Sequence, residues 1–510
     1  MHGSINNNPL TLRSAAVKLY NVGTWQFTTI RGAVAFVGLI NAMLLRGELS
    51  AMAAYGIIST VSAVAIGPAR AILSAAVQLI ATYKADEQQP QRVGGVVNKS
   101  WVLGSGLSAV IIPTLLGLAP LLRTMGVSEE IVSQVADYYR WFVPAVLPML
   151  CAMAADQFLA FATGQKYFVL ISGLSYTMLY MAVSYPLLPS WGIKALGVGW
   201  SVSASAMLVG TRCYYGVQSR QNGELAPYGL FRLPQTLTEN LSDYKDILLK
   251  GLPIAALTLV DYGCLMGLII LAALMGENEL SAASIILQIM FIFYFMLQGL
   301  NQATTKLITL HKTDLVSCRR ISFVAVILAV LAAVCMSGVN IFPEQVVSLF
   351  LEPTSANFTP VLTNVKQMLP WGTTSLTVDA FANILISASR GLGDLNFAPA
   401  VNFFIVGLLG LGAAAFLTLV WGASPAVLFF VRLCALVLSL FLLVPRWLMQ
   451  TSSPESVVNP VVVNAATDNG RRSIFASWFC LLPWSNGRSL DSEQQGLIQG
   501  DKPDRQRDCC

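Results

Sequence analysis

Only two histidines occur in the sequence, His2 and His311, and charged residues make up 11% of the chain. Two histidines are too few for a histidine-based active site or proton relay. The nine cysteines are scattered, mostly in apolar stretches, with no Cys-x-x-Cys pair. They outline neither a disulfide framework nor a zinc site. The GLGD run at Gly391–Asp394 lacks the strand–loop–helix context and the GK[ST] ending of a phosphate loop. No nucleophile–base constellation is visible, so neither an enzyme nor a cofactor is expected. A short hydrophobic signal segment with a small-residue cleavage site is also missing, and the first apolar run is read as a retained helix.

Apolar residues fill the space that charge leaves. They make up 55% of the 510 residues, more than a soluble domain carries. The expected fold class is an all-α polytopic membrane protein. Apolar spans fall near residues 22–45, 52–82, 95–122, 137–163, 167–190, 195–218, 250–275, 280–308, 321–342, 369–390, 396–420 and 425–449, about twelve in all. With the N-terminus inside, the inward loops carry Lys84, Arg92, Lys166, Arg220, Arg232, Lys245, Lys312, Arg319 and Arg320. The outward loops carry chiefly Arg46, Arg123, Lys194 and Lys366. This asymmetry places both termini in the cytoplasm. The net charge of +5 is then explained by membrane orientation, and nucleic acid is not an expected partner.

The longest polar interruption, residues 219–249, divides six spans from six and is read as a cytoplasmic linker between bundles 1–218 and 250–450. An internal repeat supports the division. ELSA at Glu48–Ala51 recurs at Glu279–Ala282, and GPAR at Gly67–Arg70 answers GLNQ at Gly299–Gln302 with a one-residue slip. Duplicated bundles with a site between them are a common transporter plan. Residues 451–510 are read as a cytoplasmic, largely disordered tail. Within it, Ser473–Trp484 is too short to span and suits the membrane surface. The terminal Cys509-Cys510 resembles the doubly prenylated ends of Rab-type small GTPases, against the alternative of an unmodified tail.

The polar groups inside apolar spans carry the functional reading. Asp261 lies ten residues after Gly251, which opens the Gly-Leu-Pro run, within a bilayer-length span. An ionised group at that depth costs about 2.5–3.5 kcal/mol on insertion scales, which makes it a functional candidate by default. Thr258 and Tyr262 lie close enough in sequence to orient it. Ser375, Asp379, Asn383, Ser387 and Arg390 share one helical stripe that cannot face lipid. It faces a cavity or another helix. Gln288, Phe291, Phe295, Gln298 and Gln302 share a sector of the following span. Amides and rings there suit a flat lipophilic cation or, equally, a packed helix contact.

The stretch from GLP through Asp261 to ELSAA and GLNQA resembles the seventh and eighth helices of the MATE multidrug and toxin extrusion transporters. PWGTTSLTVDAFANILISASRGLGD, residues 370–394, resembles their tenth helix. The looser likeness spans roughly residues 15–450. It implies two pseudo-symmetric six-helix bundles forming a V, and secondary active export of amphipathic small molecules, organic cations first, against H⁺ or Na⁺. Cation coupling is then expected at Asp261 and Asp379, with Tyr262, Gln288, Phe291, Phe295 and Asn383 touching substrate or ion. A desolvated carboxylate takes up a proton readily and an incoming cation expels it, which is the physics of an antiporter. Many bacterial relatives keep an acid late in the first helix, where this chain has Asn41. Arg31 is expected to snorkel and Arg70 to face the interior, either of them able to pair with Asp156; unpaired, they would favour anions. The resemblance leaves a lipid-linked-saccharide flippase as one alternative. A non-transporting membrane protein with an interacting or lipidated tail is another. A monomer in contact with lipid is expected, in the cytoplasmic membrane if the source is bacterial.

Overall fold

The computed structural model describes residues 11–452 apart from 20–24, 46–48, 77–78, 81–82, 84–89, 159–165, 221–224, 229 and 231–240. The chain is built from helices. The first half contains α1 (Leu12–Leu19), α2 (Trp25–Leu44), α3 (Leu49–Ser74), α4 (Pro90–Leu116), α5 (Leu118–Thr124), α6 (Glu129–Phe142), α7 (Val146–Phe158), α8 (Lys166–Trp191) and α9 (Lys194–Arg220). The second contains α10 (Ser242–Met275), α11 (Glu277–Leu310), α12 (Leu315–Ser337), α13 (Pro343–Phe350), α14 (Phe358–Leu392), α15 (Phe397–Leu419) and α16 (Ala426–Ser452). Among the described residues, seven segments are long and apolar enough to cross a membrane on their own account, and α16 is the most apolar, with mean hydropathy 2.8. Large apolar side chains such as Val110, Met178 and Phe441 are exposed on the outer faces, as a hydrocarbon surrounding requires.

The packing repeats between the halves. In the first, α3 packs on α4, α4 on α7, α7 and α8 on α9, and α2 on α8. In the second, α11 packs on α12, α12 on α14, α14 and α15 on α16, and α10 on α15. The halves meet reciprocally, α2 against α11 and α3 against α10. Two six-helix bundles related by a pseudo-twofold are thus present, as the repeated ELSA motif foretells. The helix that opens the second half begins at Ser242, inside the polar stretch expected to be linker. Residues 453–510, with Ser473–Trp484, Cys509 and Cys510, lie outside the described residues.

Small residues permit close approach along the seam. A Cβ on Gly251 of α10 would lie 2.7 Å from Ile72 Cα and 2.9 Å from its carbonyl oxygen. One on Gly56 of α3 would overlap the Ser284 side chain of α11, and one on Gly67 would press on Thr258 and Tyr262 of α10. With no hydrophobic force between helices in lipid, backbone-to-backbone packing of this kind is a main source of adhesion. An ion pair adds to it. Lys99 of α4 reaches Asp243 of α10 at 2.6 Å, with side-chain exposures of 3% and 7%. Tyr83 donates to the other oxygen of Asp243 at 2.8 Å. The N-terminal α1 also crosses between halves. Ala15 and Leu19, four apart on one face, are buried where α1 packs on α11 and α12, and Lys18 Nζ is 3.3 Å from His311 Nε2.

Two outcomes follow from the seam. Gly251→Val forces α3 and α10 apart, and the folded protein in detergent loses about 1–3 kcal/mol, read as an earlier thermal transition. Lys99→Met strands a buried carboxylate and costs about 3–5 kcal/mol, whereas Lys99→Met with Asp243→Leu recovers most of that loss; a double-mutant cycle of unfolding midpoints checks this.

Candidate functional site

Helix α14 carries the polar stripe inward. Ser375, Asp379 and Ser387 are buried on it, with Asn383 and Arg390 half-buried. Both carboxylate oxygens of Asp379 are engaged. Asn383 Nδ2 donates to Oδ1 at 2.8 Å, and also to the Asp379 carbonyl at 3.0 Å, one turn back along the helix. Oδ2 accepts from Arg432 Nη2 at 2.8 Å and from the Tyr294 hydroxyl. Arg432 Nη2 also donates to Tyr294 Oη at 2.5 Å, and Nη1 lies 3.4 Å from Ser375 Oγ. Arg432 and Asp379 are each 7% exposed. Three helices, α11, α14 and α16, thus hold one closed polar knot inside the second bundle.

Sequence reasoning missed Arg432. Its signal is nevertheless plain in AVLFFVRLCALVLS, where one guanidinium interrupts the apolar first half of the helix with the highest mean hydropathy among the described residues. The argument that selects Asp261, that a charge at bilayer depth needs a purpose and a partner, selects Arg432 equally.

Asp261 is held differently. It is half-buried on α10, and Asn402 Nδ2 donates to its Oδ1 at 2.9 Å. Among the described residues no ion pair includes Asp261; Asp379, Arg432 and Arg390 act on it only through space. Asn402 opens a stretch of π-helix, Asn402–Leu411, within α15. Such wide turns re-aim side chains and recur at functional sites. Thr258 donates to its own helix at Ile254 O, 2.8 Å. Tyr262 accepts from Gln298 of α11 at 2.9 Å and lies against Gly67 of α3. The residue next to Asp261 therefore touches the opposite half of the molecule. One helical turn away is a small pocket with Leu257, Ile386, Arg390, Asp394 and Ala398 in its wall. Leu257 and Ala398 lie one turn from Asp261 and Asn402.

The aromatic and amide face of α11 is packed. Gln288 and Phe291 are buried, Phe291 and Phe295 have ring centroids 6.1 Å apart, and Gln288 Nε2 donates to Ser59 Oγ of α3 at 3.1 Å. This amide links the halves; Gln302, on the same sector, is exposed. In the first half, Asn41 is completely buried. Its Nδ2 donates to Tyr55 Oη at 3.0 Å and Tyr180 Oη at 2.9 Å, and Tyr180 stacks near Trp200 at 4.3 Å. Arg70 Nε is 3.4 Å from Met153 Sδ. The side chains of Arg31 and Asp156, expected to take part here, lie outside the described residues.

The structure brings Asp261, Asp379, Tyr262 and Asn383 together in the second bundle, and sets Asn41 apart in the first. Gln288 belongs to the seam between halves, and Phe291 and Phe295 pack on each other along the same helix.

Known proteins resemble this chain along most of its length. The MatE family pattern matches residues 34–186 and 253–416, one block in each bundle. The probable multidrug resistance protein NorM of Pseudomonas putida is 23% identical over 305 residues, 57% of this chain and 63% of that protein. Its namesake in Pseudomonas aeruginosa is 24% identical over 242 residues, 46% and 48%. The chain thus matches less than two thirds of the length of either. Among solved structures, the inward-facing conformation of a multidrug resistance MATE family transporter of the MOP superfamily aligns with TM-score 0.69 at 16% identity, over 85% of this chain and 96% of that one. A eukaryotic MATE transporter aligns with TM-score 0.68 at 16% identity, over 88% and 100%. A MOP superfamily transporter from Pyrococcus furiosus gives TM-score 0.68 at 17%, over 88% and 97%. With both matched blocks laid over repeated helical bundles, this multi-pass integral membrane protein belongs to the MatE family.

Proposed function

We propose that the protein is a secondary active exporter of small amphipathic molecules, exchanging its cargo for an inward-moving H⁺ or Na⁺. The observation that carries this is Asp261. It is a carboxylate within a membrane-length apolar helix, with a hydrogen-bond donor, Asn402, and no ion-pair partner among the described residues. Such a group is costly to keep ionised in a bilayer, and its charge state is the natural variable of a coupled carrier. The NorM relatives bear the description of multidrug resistance proteins, which supports a drug-like cargo and makes organic cations the first to test.

Coupling follows from the neighbours of Asp261. Loading or emptying this carboxylate changes the demand on Asn402 and the π-helical stretch that starts there. The adjacent Tyr262 is bonded to Gln298 and packed on Gly67 across the seam. A change at Asp261 is thereby felt where α10 meets α3. The bundles 1–218 and 250–450, joined through residues 219–249, are the bodies that rock about this seam, with alternating access as the result. Asp379 contributes through its polar knot, and Gln288 through its bond to Ser59.

The test is ethidium efflux from proteoliposomes under separately imposed H⁺ and Na⁺ gradients, wild type beside Asp261→Asn. Efflux follows an imposed gradient in the wild type and falls to the protein-free background in the variant. Equal, gradient-dependent efflux in both would remove Asp261 from the coupling role.

A further inference from the structure

We propose that Arg432 is a resident cation filling the place at Asp379 that a coupling metal ion would need, so that this chain couples through a proton at Asp261 alone. The inference rests on the transport reading above and narrows its coupling ion. Its basis is the geometry of the polar knot. A hard cation such as Na⁺ is held by several oxygen donors at once. Asp379 already accepts three donors, one of them a cation. Its Oδ1 is taken by Asn383, and its Oδ2 by Arg432 and Tyr294. Ser375 Oγ, the next oxygen on the stripe, faces Arg432 Nη1 and itself donates to Gly372 O at 2.7 Å.

Displacing the guanidinium is unfavourable on three counts. Arg432 is 7% exposed and its Nε already lacks a partner among the described residues, so leaving Asp379 strands further buried donors. A buried cation without its counter-ion is strongly disfavoured. The guanidinium is also tied at two nitrogens, Nη2 to Asp379 Oδ2 and Tyr294 Oη and Nη1 to Ser375 Oγ, so leaving breaks several contacts at once. An incoming ion would therefore have to outcompete the resident guanidinium, in a site of low dielectric where each charge counts heavily.

The charges around Asp261 close the argument. From the helices packed about it come Asp379 and Arg390 of α14 and Arg432 of α16, with Asn402 of α15 as hydrogen-bond donor and Cys264 on its own helix. Two carboxylates face two guanidinium groups, and the set is neutral while Asp261 is ionised. One proton on Asp261 gives a single positive charge and needs no coordination shell. A sodium ion adds the same charge but needs oxygens that the knot has already committed.

The experiment uses the purified full chain and Na⁺ itself as probe. Thermal unfolding is compared in NaCl and in choline chloride at equal concentration, for wild type, Arg432→Gln and Arg432→Lys. A site with a dissociation constant of about 10 mM would raise the folded-to-unfolded ratio about elevenfold at ~100 mM Na⁺. The wild type shows no Na⁺-specific shift. Arg432→Gln, with Asp379 released beside Asp261, acquires one; Arg432→Lys, still carrying its own cation, does not. A Na⁺-specific shift in the wild type overturns the proposal. A hydrophobic carbodiimide, which reacts with protonated carboxyl groups in apolar surroundings, supplies a second reading by peptide mass spectrometry. Asp261 is labelled and Asp379 is not; labelling of Asp379 to the same extent overturns the proposal. Both wild-type measurements decide the matter even where Arg432→Gln fails to fold. Neither requires transport, so absence of efflux under every gradient counts against the transport reading and leaves these results standing.

Discussion

The ion pair between Arg432 and Asp379 is the constraint around which the second bundle is arranged. In a bilayer neither charge has water to fall back on, so each must be satisfied by protein. That requirement draws α14 and α16 together, brings Tyr294 of α11 into the same knot, and uses Asn383 and Ser375 to finish it. The energetic argument concerns what is lost if one partner goes, since pairing two buried charges gains little over two apolar groups of the same shape. A polar knot of this kind persists where it specifies an arrangement or a function.

The neighbouring carboxylate is held more loosely. Asp261 and Asp379 look alike in sequence, each the one acid of an apolar span of the same bundle, 250–275 and 369–390. Their surroundings divide their roles. Asp379 is held by three donors, while Asp261 has one amide donor, a small pocket one helical turn away and a neighbour, Tyr262, at the seam. The difference lies in what other helices bring. A group held by a single neutral donor can change its charge with limited rearrangement, whereas one tied to a guanidinium cannot do so without stranding it.

The seam between halves combines two kinds of contact. Near-contact of backbones at Gly56, Gly67 and Gly251 provides adhesion without charge, and the buried Lys99–Asp243 pair with Tyr83 adds a directional bond. Gln288 shows how the two readings of one face resolve. At helical spacing its sector suits a binding surface or a packed helix contact equally well, because both demand amides and rings on one side. The bond to Ser59 makes this amide part of the seam.

Hydrophobicity and periodicity alone determined that this chain is a bundle of membrane helices, roughly where its long apolar helices run, and that the pattern repeats. These are local properties, since a bilayer demands about twenty apolar residues per crossing wherever the helix sits. The candidates Asp261, Asp379 and the α14 stripe were legible for the same reason, as polar atoms in apolar stretches. Arg432 carried that signal too, although its meaning depended on a partner 53 residues away. The start of α10 at Ser242 and the docking of α1 were obscured because their sequences are polar or short, and packing against other helices makes them ordered. Only the tertiary structure decided which carboxylate is paired, which amide bridges the halves and where Asn402 points. Those outcomes depend on distances between residues far apart in the chain, and no spacing along one helix encodes them.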